Sequence, residues 1–569
     1  MLNFKSPLLP DAAVRAARIT VHPMVDRGVL WLCVALVLAI RIELLVATDF
    51  PINDGALFLA FVEAIVPVFP SIPQTVEYNG IAIPFAYPPL SFWLAAGGVR
   101  LGLDPLDIVH RAPILMNIGY VLLFTLVLLR TGHSRLFTAV AVLVFGTTFR
   151  SYEFLVMGGG LSRGLGSLFL LLTLLVLLPQ GGTERAQRSL RRLLLGGVLV
   201  GGAVLSHLEW GMLTAFSAVL CLAFPWPGWV RLVRGSVIVG AMASLLVAPW
   251  LGMVYLAHGL APFVAASGTS AWQPNSFINL GRMLTRTSFI ALPLVLFGMV
   301  TAARTRDVFW VVFLLAAAIL TPRSGETPLV LALGVLAASG FITLVALVRQ
   351  RGGPALRPML AGLLLLGVAM VVLRSLDAQR RDPHFAVLPA ELRSAMSWIA
   401  QTHPGATFAV LKEAPWFYNA AAEWFPVLAR AVNVTTLQGR EWLPDQEFAR
   451  TYEAIDQLDS STSCPAVLQR LAAFRRPDFV WAEGVDFAAR AAELSPSDRR
   501  RALGERLAAL RRRVTGAPPA EAFPGWKALH GPGTLAHCFE QAGYAEVHAN
   551  ARVRIFAVPG QRSTAAQEQ

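Results

Sequence analysis

Charge is scarce in this sequence. Only 15% of its 569 residues are Asp, Glu, Lys or Arg, against 55% hydrophobic residues, and mean hydropathy is +0.58. That balance excludes an ordinary soluble globular protein. Cysteine is rarer still: the four present form no Cys-x-x-Cys and no Cys/His spacing of a zinc site. Acidic residues are outnumbered 35 to 48, for a net charge of +13, but the arginines stand in short clusters between apolar runs. The excess therefore speaks for membrane topology and not for nucleic acid. No internal repeat of fixed period is present. A small-x-small cleavage site is also lacking where the first apolar run begins, so a retained signal-anchor helix is expected there.

What the sequence has in quantity is apolar length. Runs of roughly 20 residues, enough to cross about 30 Å of hydrocarbon as helix, recur up to Arg374 and then stop. Three parts are expected: a cytoplasmic leader over 1–27, a transmembrane region over 28–375 with a first outer loop at 48–112, and a soluble extracytoplasmic domain over 376–569. The leader carries Lys5, Arg15, Arg18 and Arg27, which places it inside. Asp54 to Phe69 and Pro88 to Leu103 are short for spans and are expected to lie in the outer interface. Ordering the remaining runs by their arginine clusters gives about eleven membrane helices and a soluble tail on the outer side. The tail mixes helical stretches (Ala390 to Thr402, Arg499 to Arg513) with strand-like runs (Thr407 to Leu411, Asp478 to Ala482, Val553 to Val558), the pattern of an α/β domain. Its Cys464 and Cys538 would face an oxidising compartment, and whether they pair stays open.

On this topology the polar residues at outer helix ends converge. Asp54 begins the first outer loop in Ile-Asn-Asp-Gly-Ala. Glu153 lies in the second, with Arg163 beyond a Gly158-Gly159-Gly160 bend. His207 and Glu209 end a helix in Ser-His-Leu-Glu-Trp, and Arg323 sits in a tight late turn. Each has an ordinary explanation: Asp54 as a helix N-cap, Glu153 as the partner of Arg150 or Arg163, His207 and Glu209 as a satisfied polar pair, Arg323 as an interfacial arginine. Together they suit a transfer reaction, since carboxylates at membrane helix ends mark functional cavities. A carboxylate serves as base for an acceptor hydroxyl, and arginine offers a planar fork to phosphate oxygens.

The order of parts resembles the GT-C superfamily of membrane glycosyltransferases, which includes protein O-mannosyltransferases, aminoarabinose transferases and the catalytic subunit of oligosaccharyltransferase. The likeness rests on Asn53-Asp54-Gly55, a Tyr87-Pro88-Pro89-Leu90 helix start, His110-Arg111-Ala112-Pro113 before the next span, the acidic Tyr152-Glu153 loop and the Pro322-Arg323 turn, and it covers roughly residues 28–375. The resemblance implies a GT-C-like helical polytopic membrane protein. It also implies transfer of a sugar from a polyprenyl-phosphate donor, with Asp54 as base, Glu153 as helper and Arg323 near the donor phosphate. Arg163, His207, Glu209, Tyr87 and Arg111 complete the expected substrate-binding set. The Asp-x-Asp of metal-dependent oligosaccharyltransferases is missing around Glu153, as is their Trp-Trp-Asp acceptor motif. Metal dependence stays open, and protein N-glycosylation is not expected.

Three functions are weighed, the last of them a membrane-anchored scaffold whose tail binds a partner, which predicts no convergence of the polar residues. The first is an inverting glycosyltransferase acting at the outer face of a bacterial cytoplasmic membrane, with a lipid-linked donor and an acceptor glycan, lipid or protein. The second is a transporter or flippase of a lipid-linked or anionic solute, against which the absence of repeats counts.

Overall fold

A computed structural model describes residues 23–178, 189–224, 228–269, 291–305, 308–321, 326–351, 356–411, 420–459, 464–472, 474, 477–483, 534–550 and 552–559. Arg323, most of the leader and the Arg499 to Arg513 stretch lie outside the described residues. The chain divides into two compact units, Met1–Val76 with Pro84–Val387, and Glu77–Ile83 with Leu388–Gln569.

The first unit is helical. In chain order its helices are α1 (Pro23–Ala47), α2 (Ala56–Ile65), α3 (Leu90–Arg100), α4 (Pro105–Arg130), α5 (Arg135–Thr147), the short α6 (Glu153–Val156), α7 (Gly160–Leu177), α8 (Leu190–Ser206), α9 (Leu208–Ala223), α10 (Trp229–His258), α11 (Ala261–Thr269), α12 (Ala291–Thr305), α13 (Phe309–Leu320), α14 (Glu326–Arg351) and α15 (Leu356–Arg381). Local chemistry sets several starts. Asp104 accepts a hydrogen bond from the Asp107 amide at 2.9 Å with Pro105 at the first helical position, and Ser134 caps α5 through the Phe137 amide.

Among the described residues five helices are long and apolar enough to cross a membrane, within α1, α4, α7, α10 and α14. Five more apolar helices are shorter, α5, α9 and α13 among them. At 1.5 Å per residue the 13 residues of α5 reach only about 20 Å. The described residues thus carry a mix of long and short apolar helices. Where α5 stops, the backbone turns through buried residues that carry side chains of the site, a departure from helix that a membrane protein tolerates when protein covers it.

Close backbone approach helps hold the bundle. Gly298 of α12 and Gly340 of α14 face one another so closely that a Cβ on either would meet backbone atoms of the other helix. Arg41 of α1 is fully buried. It donates from Nε to Asn117 Oδ1 of α4 and from Nη2 to the Gly146 carbonyl of α5, both at 2.8 Å, and its guanidinium lies 3.4 Å over the Tyr152 ring. A buried cation among apolar helices is costly, and these contacts with a polarisable ring offset that cost.

β1 (Thr75–Tyr78) and β2 (Ile81–Pro84) pair as a two-stranded sheet, and the second unit holds a five-stranded sheet in the order β4-β3-β5-β7-β6, from β3 (Thr407–Leu411), β4 (Val432–Asn433), β5 (Phe479–Glu483), β6 (Ala545–Ala549) and β7 (Val553–Ala557). β4, β3 and β5 run parallel, and β7 and β6 are antiparallel. The helix preceding β3 spans Ala390–Thr402. Trp424 and Trp481 are buried, and Cys538 is disulfide-bonded while Cys33 and Cys221 are free thiols. Asn79 joins this unit: its side-chain Oδ1 accepts the Asn433 amide at 2.6 Å and its Nδ2 donates to the Asn433 carbonyl at 2.8 Å, extending the sheet edge as a strand residue would.

Candidate active site

Three segments of the helical unit are laced together by backbone. Gly158 N–H donates to the Ile52 carbonyl at 3.0 Å, Asn53 N–H donates to the Ala386 carbonyl at 2.9 Å, and Ile52 bridges Val387 in antiparallel fashion. This brings the loop after α1, the loop around α6 and the segment after α15 to one place, each carrying ionisable side chains.

Asp54 does not cap the helix that follows it. Gly55, with φ +131°, takes the N-cap position of α2 without a side-chain cap bond. The Asp54 carboxylate instead accepts the amide N–H of Gly159 at 2.7 Å, at the start of α7. A helix N-terminus is a favourable place for an anion. The glycine run makes the approach possible. A Cβ on Gly159 would lie 2.5 Å from Asp54 Oδ2, and one on Gly158 would overlap the Asp54 carbonyl oxygen. Burial raises the Asp54 pKa above the ordinary carboxylate value, against the opposing pull of the Arg163 charge and the Gly159 hydrogen bond. The charge of His384 also reaches it. Arg163, on the first turn of α7, donates to the Phe154 carbonyl at 3.4 Å and lies over the Phe154 ring at 5.8 Å.

Glu153 is fully buried and belongs to a different cluster. Arg150 Nη1 bonds both its oxygens, at 2.7 and 2.5 Å, and Arg150 Nε also lies 2.9 Å from Glu326 Oε2 at the start of α14. The ordinary explanation of Glu153 as the partner of Arg150 thus describes its contact. His384 adds to it. Its Nδ1 stands 2.9 Å from Glu153 Oε1 and 2.7 Å from Asp382 Oδ1. Burial acts to lower the His384 pKa, but the hydrogen bonds and charges of Asp382 and Glu153 outweigh it and hold the pKa at about 9. For Asp382 burial acts upward and is overcome by the His384 hydrogen bonds, so its pKa is lowered.

The other residues singled out from the sequence divide. Tyr87 reaches α7, its hydroxyl 3.2 Å from Ser162 Oγ, and its ring meets the His207 ring edge-on at 6.2 Å. Glu209 is buried in the first turn of α9. Tyr87 and His207 therefore gather near the N-terminal end of α7, beside the residues around Arg163. Arg111 does not: it is exposed on α4, paired with Asp107 at 3.4 Å one turn earlier. Arg323 lies outside the described residues, although Glu326 and Thr327 just beyond it contact Arg150, the latter donating to its carbonyl at 3.1 Å. Sequence reasoning missed Asp382, His384 and Arg41. The signal for the first two was an acid and a histidine flanking Pro383 directly after the last apolar helix. Arg41 stood as a lone cation inside the first apolar run.

No protein-family model and no curated protein sequence matches the chain. Solved structures do. The Archaeoglobus fulgidus oligosaccharyltransferase in its apo form superposes with a TM-score of 0.53 at 13% identity, covering 81% of this chain and 70% of that one. ArnT from Cupriavidus metallidurans, bound to undecaprenyl phosphate, does so with a TM-score of 0.51 at 14% identity, covering 94% of this chain and 98% of that one. At such identity the likeness is one of fold. The chain shares its helical fold with these two solved structures, in keeping with the resemblance its sequence carries.

Proposed function

We propose that this GT-C-fold chain is an integral-membrane glycosyltransferase that moves a sugar from a polyprenyl-phosphate donor to an acceptor at the outer face of the cytoplasmic membrane. The observation that supports this most is the pairing of a carboxylate and a cation at one helix start: Asp54 on the Gly159 amide, in the field of Arg163. A carboxylate whose pKa lies above the ordinary value is better matched to accept a proton near neutral pH.

In this reading Asp54 takes the proton of the acceptor hydroxyl. The oxygen attacks the anomeric carbon as the bond to the phosphate oxygen breaks, the electron pair leaves with the phosphate, and the configuration inverts. Arg163, together with Arg323, holds the departing phosphate by charge-assisted hydrogen bonds. Tyr87, His207 and Glu209 shape the donor or acceptor pocket. Arg111, exposed and paired with Asp107, is left out of this assignment. Glu153 acts by fixing the loop that carries Phe154 and the glycine run, not by touching the acceptor.

The test is turnover and binding with a panel of polyprenyl-phosphate sugars by the purified wild type beside Asp54→Asn and Arg163→Ala. Sugar transfer by wild type alone, with donor binding kept in Asp54→Asn and weakened in Arg163→Ala, is the expected result. Full activity of Asp54→Asn removes the base assignment, and failure of wild type to bind any donor removes the transferase reading.

A further inference from the structure

We propose that Glu153, Asp382 and His384 form a binding site for one zinc-class divalent cation, assembled from α6 and the segment that follows α15. Their donor atoms all lie within 4.8 Å of one another. His384 Nδ1 is within bonding distance of a carboxylate oxygen on either side, at 2.7 and 2.9 Å. A single N–H has one direction and serves one of those oxygens well. A cation set among the three donors meets all of them at once.

Metal bonds of about 2.0–2.2 Å in a tetrahedral site put donors roughly 3.3–3.5 Å apart, so the cluster has to open by only about half an ångström. One imidazole with two carboxylates is a donor set that favours zinc and its neighbours over magnesium or calcium, which prefer oxygen alone. Three protein ligands leave one coordination position free for water or an anionic oxygen.

The charges around the cluster agree. Glu153, Asp382 and Glu326 contribute three negative charges and Arg150 one positive charge. Metal binding displaces the proton of His384, and with His384 then a neutral ligand the remaining two negative charges are what one divalent cation cancels. The outer contacts are those of a supported ligand set. Arg150 grips Glu153 and is itself held by Glu326, while the Phe154 ring packs edge-on against His384 at 5.7 Å. Such an ion would supply fixed positive charge to an anionic group in the free position. If the transferase reading holds, that group is a donor phosphate oxygen, and the metal site is then a deepening of that proposal.

The measurement needs no substrate. The purified full chain is stripped with chelator and titrated calorimetrically with Zn²⁺ and, in parallel, with Mg²⁺, and its metal content is read by elemental mass spectrometry. The expected result is about one Zn²⁺ per chain, released by chelator. Zn²⁺ affinity should fall at least about tenfold in Asp382→Asn and about 100-fold in His384→Ala, as for loss of metal-site groups. These side chains are 20% and 11% exposed, so neither substitution opens a fully buried site, and retained thermal unfolding and elution volume verify the fold. Substoichiometric Zn²⁺ in the wild type, unchanged affinity in both variants, or Mg²⁺ bound as tightly as Zn²⁺ overturns the proposal. Turnover is not read, so a negative outcome leaves the transferase proposal standing, and an inactive preparation that binds Zn²⁺ leaves the metal site standing.

Discussion

Asp54 and Glu153 stand on neighbouring loops of one unit, yet their surroundings differ. Glu153 has no exposure at all and is gripped by a guanidinium and an imidazole from two sides. Asp54 remains partly exposed, takes a backbone N–H and feels cations at a distance. A carboxylate gripped by charged donors is a good anchor for its loop. Asp54 is held by backbone amides, those of Gly159 and of Asp54 itself. The two acids were alike as residues on outer loops, and it is their place in the fold, not residue type, that sets the donors each carboxylate meets.

The contrast breaks most sharply at Asp54. In Asp54→Asn turnover should fall by about 10²- to 10⁴-fold with donor binding nearly unchanged, as measured by kcat beside equilibrium binding. At Arg150 the expected effect is on stability. Arg150→Met leaves Glu153 buried beside one cation fewer and should cost about 3–5 kcal/mol, read by chemical denaturation in detergent, with Arg150→Lys recovering part of it. Gly158→Ala comes next. Its methyl group overlaps the Asp54 carbonyl, so the loop must shift, at a cost of roughly 1–3 kcal/mol, with loss of turnover. Tyr87→Phe removes a contact with Ser162 and should cost only about 0.5–1.5 kcal/mol of donor affinity.

The pH profile sharpens the same contrast. Because burial raises the Asp54 pKa, its base form is lost as pH falls through a value above the ordinary 3.8. The acid limb of kcat/KM should therefore lie above that value and vanish in Asp54→Asn. A limb at or below the ordinary carboxylate value counts against Asp54 as base.

Much of the framework was legible before any coordinates. The short segments expected at Asp54 to Phe69 and Pro88 to Leu103 hold the short helices α2 and α3, and a strand falls on the strand-like run Thr407 to Leu411. Helix length and apolar period are local properties, readable from neighbours a few residues apart. Asp54 and Arg163 stand out by position, because an acid and an arginine at helix ends in an apolar chain are rare. The role of Gly158 and Gly159 was half legible: a bend was evident, but that Asp54 fills the space a Cβ would take was not.

Composition and apolar length alone make this a membrane chain of many apolar helices with polar groups at helix ends, since burial of apolar length and the cost of charge in hydrocarbon act on every segment separately. Only the tertiary structure decided that Glu153 meets Arg150 and His384, that Asp54 binds the start of α7 instead of capping α2, that Arg111 stays at the surface, and that Arg41 ties three helices to Tyr152. These are contacts between segments far apart in the chain. Their partners are chosen by packing and by the need to pair buried charge, and neither leaves a local trace in the order of residues.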